Sequence, residues 1–376
     1  MAVITVAAFP RDGNPYQRQL ATALHDVGVG VRYLAWPTGS HTLNLLLLPL
    51  QLIRVRAGGV RVLHLHWMYP FVVPGLPPRI GRRLAAFWYT IFLNTARAIG
   101  LRIVWTAHNV LPHQRLFTDD RRRRQQLIDA ADAIVVHSAA GERALRDHGL
   151  RLAAVVHAPH GPYHGYREHL IEPEPARTRL GIAPGARVVL FFGRINPYKG
   201  VTDLLEAWPA VVDEIPDAVL LVAGACDDAD LRFAIENRAG VLGPSVRLLL
   251  EPIAEELIPV LFSAAEFTCL PFRSVTTSGS AILAAGLGRL LIPELQTLGD
   301  VAGAQVARYQ PGPDGLREGL VRALREPPAR TSEPGPGPAP EWTVSAEAHA
   351  ALFRSLHLAP ASPSHRTKGT DVASAA

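Results

Sequence analysis

The sequence predicts an α/β protein of two Rossmann-like domains, each a parallel sheet wrapped by helices. Three observations predict it. Short, continuously apolar runs rich in Val, Ile and Leu alternate with amphipathic stretches, the pattern of strands buried on both faces between crossover helices. The chain has 376 residues, too many for one ordinary core and enough for two. A stretch bearing Pro173, Pro175 and Pro184 separates two sets of strand candidates.

In the first half, strands are predicted at Val3–Ala8, Val29–Ala35, Val60–His66, Leu101–Ala107, Ala133–His137 and Ala153–Ala158. In the second they are Arg187–Phe192, Ala218–Ala223, Val246–Leu250, Phe267–Leu270 and Arg289–Pro293. Between them, Tyr16, Leu20, Leu24 and Val27 recur at helical spacing, as do Val201, Leu204, Leu205 and Trp208. The expected organisation is a first domain over 1–165, a linker over 166–186 and a second domain over 187–325. Residues 326–358 read as a proline-rich loop and a helix, with Trp342, Ala346, His349 and Phe353 on one face, crossing back to the first domain. Residues 359–376 read as a disordered tail.

Composition narrows the partners. The net charge of +5 is a modest excess. It suits diphosphates or anionic lipid headgroups, and no nucleic-acid partner is expected. Cys226 and Cys269 are the two cysteines, with neither metal-type spacing nor a disulfide framework. The opening MAVITVAAF lacks a basic leader and turns polar at Arg11-Asp12, and no apolar run reaches the roughly 18 residues of a membrane span. A cytoplasmic location is expected. Of 38 basic side chains only Lys199 and Lys368 are lysine. A lysine kept in an arginine-biased chain suits a site that needs a compact, flexible ammonium.

Two segments carry the chemistry. In VVLFFGRINPYKGVTDLLEAW an apolar strand runs into Gly193-Arg194, then through a short loop to Lys199-Gly200 and an amphipathic helix. Ligands of open α/β sheets sit beyond the carboxyl ends of strands. Two cations there can neutralise a diphosphate. A plain βα unit with two surface cations fits the spacing as well. In LPFRSVTTSGSAILAAGLG a strand ends at Leu270, and Thr276, Thr277, Ser278, Gly279 and Ser280 open a helix. Hydroxyls cap such a start, glycine admits a ligand, and free amides favour an anion. A well-capped core helix explains Thr276 or Ser278 alone, though not five small residues in a row. Neither a G-x-G-x-x-G fingerprint nor a Walker A sequence is present, so NAD binding and P-loop hydrolysis are not favoured. Asp227-Asp228-Ala229-Asp230 reads as a polar turn, and no metal is expected.

FFGRINPYKGV with its leucine-rich helix, ADAIVVHS at Ala131–Ser138 and HGPY at His160–Tyr163 together resemble the GT4-type glycosyltransferases of the GT-B fold. NPYQRQL, VLHLHW, TAHNVLPH and LPF–TSGSAILA are similar to a subgroup, the bacterial exopolysaccharide mannosyltransferases of the xanthan-assembly kind. The resemblance implies two Rossmann-like domains facing across a cleft. It implies hexose transfer from a nucleoside diphosphate sugar, with GDP-mannose favoured, to a glycan or polyprenyl-linked glycan. The nucleotide sugar is a co-substrate, and no cofactor is implied. Arg194, Lys199 and Gly193 would hold the diphosphate, with the Thr277, Ser278, Gly279 and Ser280 backbone on its distal phosphate and Ile253 along the base. The family pattern has two glutamates eight residues apart around the last helix; Val275 and Leu283 stand there in this chain.

In such a fold the acceptor lies on the first domain. Asn14 and Tyr16 follow the first strand, His66 and Trp67 end the third, and Asn109 and His113 follow the fourth. His108 is the candidate for contact with the transferring sugar, and Asp12 is a candidate base. A structural histidine bonding loop carbonyls is the alternative for His108. Trp67 either stacks on a sugar or closes the core. His64 is read as structural, on the face of the sheet opposite His66. Arg54, Arg56, Arg79, Arg82, Arg83 and Arg121–Arg124, interleaved with apolar stretches, form either solvated helix faces or a basic surface that rests on an inner-leaflet membrane. Two other classes share this scaffold, a sugar-nucleotide epimerase or phosphorylase and a non-catalytic glycan- or lipid-binding protein.

Overall fold

The computed structural model describes residues 4–11, 15–34, 38–67, 75–112, 115–163, 165–275, 278–298, 301, 305–326 and 342–359. Asp12, Asn14, His113, Thr276 and Thr277 lie outside the described residues. So do the proline-rich stretch from 327 to 341 and the residues from 360 onward.

The first half folds as β1 (Ile4–Phe9), α1 (Pro15–Asp26), β2 (Val29–Tyr33), α2 (His41–Ala57), β3 (Val62–Leu65), α3 (Pro78–Ala98), β4 (Arg102–Thr106), α4 (Asp120–Ala130), β5 (Ala133–Val136), α5 (Ala139–Asp147) and β6 (Val155–His157). The second continues as α6 (Pro173–Arg179), β7 (Arg187–Phe192), α7 (Val201–Glu214), β8 (Ala218–Ala223), α8 (Ala229–Leu242), β9 (Val246–Leu249), α9 (Ile258–Ala264), β10 (Phe267–Cys269), α10 (Gly279–Leu287), β11 (Leu290–Pro293), β12 (Val306–Tyr309) and α11 (Pro313–Arg325). A last helix, α12 (Trp342–Leu358), follows.

The strands form two all-parallel six-stranded sheets, in the orders β2-β1-β3-β4-β5-β6 and β12-β11-β10-β7-β8-β9. Continuous apolar runs make the central strands because helices cover both faces. Val188, Val189, Leu190 and Phe191 of β7 are all fully buried. The sequence missed β12: its four residues pair only with β11 and are mostly half-buried, so its apolar signal is weak.

Residues 166–186, expected as a linker, carry the short helix α6. Ala176 packs into Val260 and Ala264 of α9. Arg177 is buried, donating through Nε to the Ala264 carbonyl at 3.0 Å and pairing with Glu266 at 3.3 Å. Pro173 opens the helix, where its missing N–H costs nothing.

Helix α12 packs back onto α1 and the first sheet. Trp342, Ala346, Ala350 and Phe353 share one buried cluster with Val6, Tyr16, Leu20 and Val104. Trp342 Nε1 donates to the Pro162 carbonyl at 2.6 Å. The run Arg121–Arg124 is largely structural. Arg124 is buried, lies over the Trp105 ring at 4.4 Å and donates to the Val110 carbonyl at 2.8 Å, which steadies the loop after β4. Arg121 donates to the carbonyls of His148 and Gly149, both at 2.9 Å.

Candidate active site

The order of the second sheet reverses between β7 and β10, the topological switch point at whose carboxyl edge α/β proteins open a crevice. The segments after these two strands meet there. Gly193 leaves β7 with φ +113°, a left-handed conformation that favours glycine. A Cβ on Gly193 would collide with Ser280 Oγ and stand 2.8 Å from Lys199 Nζ. Lys199 Nζ donates to Ser280 Oγ at 3.1 Å. Residues 193 and 199 of the β7–α7 connection and residue 280 of α10 therefore converge on one point.

Lys199 is 6 % exposed, and among the described residues its direct polar partner is a neutral hydroxyl. Burial, then the charge of Arg194, lower its pKa to about 8. Arg194 itself is exposed and paired with Asp227. Its exchange to a bound anion would break only a surface ion pair, which is cheap. Asp228 caps α8, accepting from the amides of Asp230 and Leu231 at 3.1 and 3.0 Å. The acidic turn thus has roles in capping and in holding Arg194.

Ser278 caps α10, its Oγ accepting from Ala281 N at 3.1 Å. That bond uses the Ala281 amide, and the Gly279 and Ser280 amides at the helix start are placed to face an anion. Gly279 lies against the Tyr163 hydroxyl of the first-domain exit, so a Cβ there would be 2.5 Å from that oxygen. Ile253 is half-buried in the loop after β9. Val275 and Leu283 pack in the second-domain core; apolar packing occupies the places where the family pattern has glutamates.

On the first domain, histidines follow the carboxyl ends of four neighbouring strands: His66 after β3, His108 after β4, His137 after β5 and His160 after β6. Successive ring centroids are 5.6, 5.1 and 5.5 Å apart, close to the spacing of strands in a sheet. Trp67 stacks on His108 at 4.6 Å, and both rings are half-buried, as is Asn109.

Several sequence expectations need correction. Tyr16 is 1 % exposed, beneath the histidines, 4.7 Å from the His108 ring and 4.9 Å from His160. It packs beneath the row and is not on the exposed rim. His66 is likewise buried. His64 shares a face with His66, their rings 4.1 Å apart, because residues two apart on a strand point the same way. His137, His160 and Tyr163 were not among the expected site residues. The signal was present: a histidine within three residues beyond each of four apolar strands.

Comparison with known proteins agrees with this architecture. Residues 186–298 match the family described as Glycosyl transferases group 1. The chain is 29 % identical over 231 residues to a GDP-mannose:glycolipid 4-beta-D-mannosyltransferase of Xanthomonas campestris pv. campestris, covering 61 % of this chain and 59 % of that protein. It is 28 % identical over 253 residues to a D-inositol 3-phosphate glycosyltransferase of Corynebacterium aurimucosum, covering 61 % and 56 %. The matches thus span less than two thirds of either relative. Among solved structures, sucrose-phosphate synthase from Thermosynechococcus elongatus superposes with a TM-score of 0.64 at 17 % identity, covering 94 % of this chain and 95 % of that one. Residues 186–298 are a domain of the glycosyl transferases group 1 family, set in a chain with the GT-B fold.

Proposed function

We propose that this chain is a glycosyltransferase that moves a hexose from a nucleoside diphosphate sugar to a hydroxyl of a glycan or lipid-linked glycan. One observation carries the reading: Lys199 Nζ, Ser280 Oγ and the Gly193 backbone meet at the switch point of the second sheet. A diphosphate leaving group gains charge as the glycosidic bond breaks. A preset ammonium and helix-start amides stabilise that charge at little reorganisation cost. The Trp67–His108 face of the first domain supplies the aromatic and hydrogen-bonding surface that a sugar requires. GDP-mannose is the donor we favour, since the Xanthomonas relative is named for it. The test is release of nucleoside diphosphate from a panel of GDP-, UDP- and ADP-sugars with lipid-linked glycan extracts. An epimerase would alter the donor without acceptor, a phosphorylase would need inorganic phosphate, and a non-catalytic binder would release nothing.

The lysine gives a pH dependence of known sign. An anion binds the ammonium form, and Lys199 titrates near 8. Above that pH, binding must take up a proton, so affinity falls by up to about tenfold per pH unit. Titration of GDP between pH 7 and 10 should show the fall, and Lys199→Arg should lose it. A flat profile in the native protein would exclude Lys199 from the phosphate site.

The acceptor reading extends to a membrane surface at the cytoplasmic face. Leu43, Leu46, Leu50 and Ile53 are exposed along one side of α2, and Ile80, Leu84 and Phe87 along α3. Exposed Arg54, Arg79 and Arg83 lie among them. No helix among the described residues is long and apolar enough to cross a membrane. An apolar stripe set among arginines suits the surface of an anionic bilayer. The chain should float with vesicles containing phosphatidylglycerol and stay behind with pure phosphatidylcholine. Leu46→Glu with Phe87→Glu should abolish flotation; retention by that double variant would refute this face as the contact.

A further inference from the structure

The row of histidines on the first-domain rim has a direction, and one carbonyl sets it. His137 Nδ1 lies 2.9 Å from the Ala158 carbonyl oxygen. A carbonyl only accepts, so His137 carries its proton on Nδ1, and in a neutral ring Nε2 is left as a lone pair. His108 Nδ1 faces that lone pair at 3.3 Å, so His108 also carries its proton on Nδ1. Its Nε2 is then a lone pair, facing His66 Nδ1 at 3.4 Å. Every step follows from the Ala158 oxygen provided that the rings are neutral.

The surroundings keep them neutral. Burial lowers His137 to about 4 and His160 to about 3. Burial first, and neighbouring imidazoles second, hold His66 and His108 well below the usual histidine range. The titratable groups facing the row are Tyr16 from α1, His64 from β3, His349 from α12, and His160 with Tyr163 from the turn after β6. His349 donates through Nδ1 to the Ser345 carbonyl at 2.7 Å, while His64 Nε2 is 2.7 Å from the Thr106 hydroxyl.

We infer that His66, His108 and His137 form a tautomer-locked chain anchored on the Ala158 carbonyl, which presents the Nε2 lone pair of His108, engaged only by the long His66 contact, to a hydroxyl group of the bound glycoside, with His137 as the positioning residue. This Nε2 is the weakly held link of the chain. His108 is half-buried whereas His66 and His137 are buried, so His108 is where the chain meets solvent. Its contact with His66 is long for a hydrogen bond, so an incoming hydroxyl can share or replace it. A ring so hard to protonate is a poor general base near neutral pH. What it offers is an acceptor of fixed direction, which favours a ligand that donates there and penalises one that lacks the hydroxyl. Trp67, stacked on the same ring, covers its face and leaves the edge to the ligand.

The hydroxyl partner rests on the glycosyltransferase reading, while the tautomer order does not, and the experiment separates them. Long-range proton–nitrogen correlation spectra of protein labelled with 15N-histidine report which ring nitrogen bears hydrogen, and spectra of His108→Gln and His137→Phe assign the signals. His108 should be neutral and protonated on Nδ1 from pH 6 to 8. In His137→Phe that proton loses its acceptor, so His108 should move toward the Nε2-protonated form. Turnover should then fall about tenfold or more through kcat, with affinity for free GDP unchanged. His137→Gln places an amide oxygen near the lost Nε2 and should restore both the Nδ1 tautomer and most of the turnover. A cooperative urea transition followed by tryptophan fluorescence shows that the first domain of each variant is folded; if His137→Phe does not fold, the native spectrum and His137→Gln still decide. A native His108 that is charged, or protonated on Nε2, at pH 7 would overturn the inference. So would a His108 spectrum that ignores His137→Phe. A native protein that turns over no donor, yet shows the expected tautomers, would instead overturn the glycosyltransferase reading and leave the chain intact.

Discussion

Replacing Lys199 with alanine should reduce nucleoside diphosphate release about 10²- to 10³-fold, the usual loss when one preset stabiliser of leaving-group charge is removed. The protein should remain folded. Lys199 is buried, and among the described residues its one polar partner is the neutral Ser280 Oγ, so truncation removes the cost of burying an ammonium along with its contacts. Its thermal midpoint should hold or rise. Arg194 replaces it only in part, since it is exposed and does not occupy the buried position of Lys199 beside Ser280 Oγ. Gly193→Ala should resemble it by a different route. The new methyl would strike Ser280 Oγ and crowd Lys199 Nζ at a backbone angle that alanine disfavours. Steady-state release from the donor that the native protein prefers measures both. Activity within twofold of native in Lys199→Ala would remove the ammonium from the chemistry.

Replacing Phe353 with alanine should cost about 3–5 kcal/mol, the range for a fully buried phenylalanine. Phe353 is fully buried between α12 and the first sheet, near Val6, Val62 and Val104. Its ring also stands 5.2 Å from that of His64. The loss falls on the first domain although the residue lies beyond the second in sequence. Urea unfolding followed by tryptophan fluorescence should show a lower midpoint, while GDP affinity below the transition stays native. If the midpoint does not move, α12 is not part of the first-domain core.

The sequence made most of this fold legible because buried parallel strands are continuous apolar runs, and nearly every central strand stands within two residues of its predicted place. It failed where that signal fades. Strand β12 is an edge with half-buried residues, and α6 hides in a proline-bearing stretch that composition alone assigns to a linker. The phosphate rim was legible because it needs residue types with local reasons: glycine where φ is positive, a lysine in an arginine-biased chain, and a serine that caps a helix. The acceptor side was less so. Tyr16 sits at the start of an amphipathic helix, and sequence alone does not tell whether such a residue faces solvent or the sheet. His64 was put on the wrong face by a slip in strand periodicity. His137 was read as the end of a strand, and His160 lay in a turn noted for its resemblance to a family. Their alignment appears once the strand order places β3, β4, β5 and β6 side by side.

The claim on which the account depends is that the carboxyl edge of the second sheet grips a diphosphate. Calorimetric titration with GDP and with guanosine, in native protein and in Lys199→Ala, measures it with no acceptor present; UDP with uridine and ADP with adenosine extend it to the other bases. A diphosphate should bind the native protein far more tightly than its nucleoside, and most of this difference should disappear in Lys199→Ala. Equal affinities for nucleoside and nucleotide, or a difference that survives the substitution, would contradict it.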